Sequence, residues 1–121
     1  NSTGAYANAT HLGTEVVTIL AGASATKALD QIAASTYNTF EYLVQVKLAN
    51  GYLHSTKLLI VQNGSDIFMT EYGTVYSNDI LVTFDADHNS GNFRLLATKT
   101  AAVQALNSLA TVKVTRLAIT A

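Results

Sequence analysis

Cysteine, proline and tryptophan are all absent from this 121-residue chain. Without cysteine there are no disulfides, no thiolate metal ligands and no thiol nucleophile, so stability has to come from non-covalent packing. Without proline, no strand ladder is broken from within. Charge is scarce too: Asp, Glu, Lys and Arg make up 12% of the residues, about half the ~25% of an average domain. Seven basic and eight acidic side chains leave a net charge of −1. No Lys/Arg cluster offers a footprint for a phosphate backbone or an anionic lipid surface, so neither nucleic acid nor membrane is an expected partner. No apolar run approaches the ~18 residues of a spanning helix.

What is present is a chain 49% apolar, with a polar remainder dominated by Thr, Ser, Asn and Gln, and a length that fits one domain. The opening NSTGAYANATHLGT is small, polar and without period, which predicts a polar N-terminal arm or linker over residues 1–14 and a single folded domain over 15–121. Ordered structure is expected from the β-branched stretch Glu15–Ala21 onward. Thr26–Ser35 fits a strand by context and a helix by its Ala/Leu content; strand is the reading adopted. From Phe40, period-two alternation is clean: Phe40, Tyr42, Val44, Val46 and Leu48 share one face, Glu41, Gln45 and Lys47 the other, with Leu43 as the exception. Asn50-Gly51 then predicts a type I′ hairpin turn into Tyr52–Val61. A second Asn-Gly, Asn63-Gly64, leads into Asp66–Tyr72, where Gly73 is expected to interrupt before Thr74–Tyr76. Ile80, Val82, Phe84 and Ala86 alternate in the next segment, and HNSGN turns the chain into Asn92–Thr98.

Ala101–Ala110 has helical spacing over fewer than three turns and is expected to be a helical turn within a loop. In the closing segment Val112 and Val114 fall on one face and Leu117 and Ile119 on the other, which predicts a bulge, or a shift between neighbours, near Arg116. Short strands, frequent turns and no long helices predict an all-β antiparallel sandwich, jelly-roll-like, of about seven to nine strands. LLIVQ is apolar on both faces, which points to a covered central strand or a contact between subunits.

Chemistry is hard to find in these residues. Asp85, Asp87, His88 and Asn89 are rich in oxygen and nitrogen. The calcium-loop spacing, however, wants Gly at the sixth position and Glu at the twelfth, where DADHNSGNFRLL has Ser90 and Leu96. Side-chain turns ending a strand explain the cluster more simply. His11, His54 and His88 fall in different segments with no metal-ligand spacing. No G-x-S-x-G elbow and no phosphate-binding glycine loop occurs. Glu71 could serve as an acid or base beside a second carboxylate, yet a strand-end carboxylate is the plainer reading. The expectation is no enzyme, no catalytic residue, no metal and no cofactor. Among six tyrosines, Tyr72 and Tyr76 stand out as glycan or partner contacts, because a sugar face packs on an aromatic plane. The lack of tryptophan weighs against the glycan.

Several runs, taken in order, carry a resemblance: STYNTFEYLVQV, LLIVQNGSDIFMTEYGTVYS, TFDADHNSGNFRLLATK and ATVKVTRLAI. Together they resemble a β-rich module of structural proteins of tailed bacteriophages, marine and cyanobacterial ones especially, over Ser35 to Ile119. The marks are Glu71-Tyr72-Gly73, Thr83-Phe84-Asp85-Ala86-Asp87, Gly91-Asn92, Arg94-Leu95-Leu96 and Lys113-Val114-Thr115-Arg116. Ala101–Leu109 is longer than the turn expected there, and Ile80-Leu81-Val82 replaces a small-residue strand entry. The resemblance implies a non-enzymatic virion component such as a head (capsid) decoration, a tail fibre or a neck or tail appendage, assembled in the host cytoplasm and acting through contacts with itself and other virion proteins. Homo-oligomers, trimers above all, would bury the second apolar faces. The alternative is a receptor-binding fibre tip that recognises a host surface glycan.

Overall fold

The computed structural model describes residues 9–19 (backbone only), 26–101, 103 and 109–120, and in it the alternating stretches form eight strands. They are β1 (Ala9–Ile19), β2 (Lys27–Ala33), β3 (Tyr37–Leu48), β4 (Leu53–Gln62), β5 (Ile67–Tyr76), β6 (Val82–Asn89), β7 (Asn92–Lys99) and β8 (Ala110–Thr120). Five strands make one sheet in the order β1-β8-β3-β4-β5, and three make a second in the order β2-β7-β6. Every pairing is antiparallel. β1 pairs with β8 and β2 with β7, while β3-β4-β5 stays in one sheet as a meander.

Period two is what makes a sandwich of this. Phe40, Tyr42, Val44, Val46 and Leu48 of β3 are all buried, and so are Leu58 and Ile60 of β4 and Phe93, Leu95 and Ala97 of β7. The inner faces of the two sheets meet in one core, each fully buried Leu, Ile or Phe contributing about 1.5–3 kcal/mol from apolar area removed from water. Phe40 and Phe93 stack across it with ring centroids 4.4 Å apart. The three-stranded sheet is narrower than the five-stranded one, so the edge strand β5 is left largely uncovered.

Several sequence expectations are revised. β1 begins at Ala9, so residues 9–14, expected in the arm, are already in the ladder to β8; residues 1–8 lie outside the described residues. The Asn50-Gly51 turn is not type I′, since only Gly51 has positive φ (97°). Ala49, Asn50 and Gly51 form a three-residue loop closed by Gly51 N–H donating to the Leu48 carbonyl at 2.9 Å, a type I turn with a glycine bulge. Two consecutive positive-φ residues occur instead at Ser90 (52°) and Gly91 (80°), between β6 and β7.

Gly73 does not end a strand: β5 runs through it, with φ at 70° and one extra residue relative to β4. Nor does β8 change phase at Arg116. Val112, Val114, Arg116 and Ala118 all face the core, and Leu117 and Ile119 lie outside. The register does slip beside Arg116, but the extra residue is in β1, between Leu12 and Glu15. Leu81, not Ile80, is the buried residue ahead of β6. In the segment expected as a helical turn, Ala101 and Val103 are helical and Val103 sits in the core; residues 102 and 104–108 lie outside the described residues.

Candidate functional site

The polar groups that sequence reading singled out are dispersed by the strands that carry them. Asp85 to Asn89 lie in β6, not in a loop, so successive side chains point to opposite faces. Asp87 accepts two hydrogen bonds from Arg94, at 2.8 and 2.6 Å. That guanidinium holds its carboxyl below the ordinary value. His88 donates from Nε2 to the Gln62 side-chain carbonyl at 2.9 Å, and Asp85 accepts from the Ala86 N–H. Among the described residues no three His, Asp or Glu side chains converge as metal ligands. Glu71 pairs with buried Leu58 and Glu41 with exposed Leu59, which puts the two carboxylates on opposite faces of the sheet.

Two polar arrangements are buried and were not legible in the sequence. Asp30 of β2 accepts from Arg116 of β8 and from the Tyr42 hydroxyl of β3, each at 2.8 Å. This clamp ties the two sheets together, and the Arg116 guanidinium also lies 5.3 Å from the centre of the Tyr37 ring. Burial, then the Asp30 carboxylate, pushes the Tyr42 phenol far up. Gln62 is the second hub. Its amide N–H groups donate to the Ala34 and Tyr37 carbonyls at 2.7 and 2.5 Å, and its oxygen accepts from Gly64 N–H and from His88. The Gln62 hub is satisfied by these four partners, whereas in the clamp Arg116 Nε is buried without a hydrogen-bond partner among the described residues.

His54 is different. It is 1% exposed, its Nδ1 accepts the Leu81 N–H at 3.3 Å, and its Nε2 finds no partner among the described residues. Burial lowers its pKa, opposed by the Glu71 carboxylate. A neutral imidazole under β5 is held there by packing, with Phe84 alongside.

The most extensive feature open to another molecule is the outer face of the five-stranded sheet. Its registers set out four rows across β8, β3, β4 and β5. The first is Ile119, Thr39, Val61, Phe68, and the second Leu117, Glu41, Leu59, Thr70. The third is Thr115, Leu43, Lys57, Tyr72, and the fourth Lys113, Gln45, Ser55, Val75. Exposed apolar side chains concentrate here, with Phe68 and Val75 each at 65%. Sequence alternation hid this surface, because Leu43, Leu117 and Ile119 read as breaks in the pattern when they are members of the outer face.

Tyr72 and Tyr76 are both exposed, but they do not share a surface. Tyr72 pairs with Lys57 on the outer face and Tyr76 with buried His54 on the inner side. Four residues apart in a regular strand they would lie together; the extra residue at Gly73 separates them. The Tyr72 hydroxyl donates to Glu41 at 2.8 Å, and that hydrogen bond is the main cause of its raised pKa. Tyr76 borders a shallow hollow with Leu53, Ser55 and Val75.

No protein-family model matches this chain, and no curated protein matches it. Among solved structures, it is similar to part of the Acinetobacter baumannii phage AM24 tailspike protein, with a TM-score of 0.55 and 8% identity, over 93% of this chain and 26% of that one. The tailspike protein of Acinetobacter phage vB_ApiP_P1 aligns with a TM-score of 0.44 and 17% identity, over 93% of this chain and 22% of that one. This chain thus spans about a quarter of the length of these proteins. The likeness to the AM24 protein is one of fold, and by it this β-sandwich is of a kind also found within a phage tailspike.

Proposed function

We propose that the chain is a non-enzymatic structural module of a tailed-phage particle, of the tail-appendage kind, that works through protein–protein contacts. The observation that carries this reading is the outer face of the five-stranded sheet, where Leu43, Leu59, Val61, Phe68, Leu117 and Ile119 are each at least 40% exposed. Such a concentration of exposed apolar side chains marks a surface that is covered in the working assembly. The fold shared with part of a phage tailspike supports a place on the tail over head decoration, and its source is a phage of Acinetobacter where the sequence resemblance was to marine and cyanobacterial ones. Partners on this reading are further copies of the chain and other virion proteins, assembled in the host cytoplasm. The test is to probe purified particles with an antibody against this chain: label at the tail is expected, and particles without the chain would overturn the reading.

A second reading, a receptor-binding tip for a host surface glycan, is favoured by Tyr72. Its exposed ring is held in place by Glu41 and flanked by Lys57, a plane for a sugar face with charged groups at its rim. A glycan array separates the two, since the tip requires binding that Tyr72→Ala removes.

A further inference from the structure

The outer face of the five-stranded sheet is uneven in a way that fits a copy of itself. In its first row Phe68 stands 65% exposed on β5. Three rows along, roughly 20 Å further on at about 3.4 Å per residue, lies a hollow. Its floor is Ser55, whose hydroxyl turns back to donate to the Val44 carbonyl at 2.9 Å, and Leu53, Gln45 and Val75 border it. Between knob and hollow, Glu41 and Lys57 occupy adjacent strands in the second and third rows.

We propose that this face docks a second copy of the chain about a two-fold axis lying in the interface, perpendicular to the strands, between the Leu59 and Lys57 rows. The proposal rests on the reading that the chain works through protein contacts, and it names the contact. That axis lays each strand against its own counterpart and reverses the order of the rows. The first row of one copy then meets the fourth of the other, so Phe68 enters the hollow over Ser55, beside Val75, and the same contact forms twice. The second row meets the third, which sets Glu41 of each copy over Leu43 and beside Lys57 of the other.

Size and charge agree. Four strands at about 4.8 Å spacing and roughly ten residues in length at about 3.3 Å rise present on the order of 600 Å² per copy, or about 1,200 Å² in all, the lower end of a standard interface. A chain of net charge −1 does not repel its copies, and a face carrying both signs can pair with itself.

Sedimentation equilibrium of the whole chain tests this. A concentration-dependent dimer is expected. Phe68→Ser should weaken it at least about tenfold by removing the exposed aromatic knob, with the melting temperature of the dilute monomer unchanged. Glu41→Lys alone and Lys57→Glu alone should each weaken it by about tenfold. Mixing those two variants should restore it, because in the mixed dimer every contact again joins a lysine to a glutamate. A chain that stays monomeric, a dimer unmoved by these variants, or a mixture that fails to recover overturns the proposal. A monomeric chain found on particles would sink the dimer and leave the virion reading intact, whereas a dimer absent from particles would do the reverse.

Discussion

Asp30 on the small sheet and Arg116 on the large one form an ion pair at 2.8 Å, with each side chain less than a tenth exposed. The Tyr42 hydroxyl shares the same carboxylate oxygen. Asp30→Ala would strand a buried guanidinium, at a cost of about 3–5 kcal/mol. Tyr42→Phe removes one hydrogen bond and should cost about 1–3 kcal/mol. Replacing both ions, as Asp30→Leu with Arg116→Met, should cost much less than Asp30→Ala alone. Urea unfolding midpoints at constant slope provide the comparison.

The stack of Phe40 on Phe93 lies where the two sheets meet. Phe93→Ala opens a cavity on a fully buried site and should destabilise by about 3–5 kcal/mol, while Phe93→Leu keeps most of the volume and should cost less than about 1.5 kcal/mol. Thermal unfolding would rank them. Equal losses would mean that this contact does not bind the sheets.

Gly73 is required by its backbone, since φ is 70° and open space surrounds the position of a Cβ. Gly73→Val should therefore cost about 1–2 kcal/mol through conformation alone, with no clash. Deleting Gly73 should remove the bulge and leave the later residues of β5 on their present faces, with Tyr76 still opposite His54 on the inner side. Nuclear Overhauser contacts between the Tyr76 ring and His54 should survive the deletion; contacts to Ser55 in their place would contradict this register.

His54 predicts acid sensitivity of a definite sign. Its pKa in the folded chain lies below the ordinary 6.5 because burial disfavours the charged form. Above about pH 6.5 it costs nothing; as pH falls from there towards the folded-state value, the unfolded chain takes up a proton that the folded one refuses, and stability is lost. His54→Gln should flatten the pH dependence below about pH 6.5, measured by denaturant midpoints. An unchanged slope would show that His54 is free to charge in place.

The parts of the fold that declare themselves locally were readable. The β3–β4 hairpin follows from alternation over Phe40–Leu48, where one face is wholly buried. The turn chemistry was misassigned by one residue, because Asn50-Gly51 fits both a two-residue and a three-residue loop and only closure of the strands decides between them. What could not be read is relation at a distance. Asp30 and Arg116 are 86 positions apart, and Arg116 was a charged residue in a strand whose phase looked broken until its partner was known. The outer face was hidden for the same reason: Leu43, Leu59 and Ile119 form a surface only once β8, β3 and β4 lie side by side. Tyr72 and Tyr76 were recognisable as exposed aromatics, but their separation depends on a bulge that sequence showed only as a glycine.

The central claim, that the outer face is a contact surface in the assembled particle, is tested most directly by hydroxyl-radical footprinting. Phe68 and Tyr72 report the β5 edge of that face, with Met69, which pairs with buried Ile60 on the inner side, as a reference. Phe68 and Tyr72 should be labelled readily in the isolated, dilute chain and strongly protected in intact particles, while Met69 changes little. Equal labelling of Phe68 and Tyr72 in the two states would contradict the account.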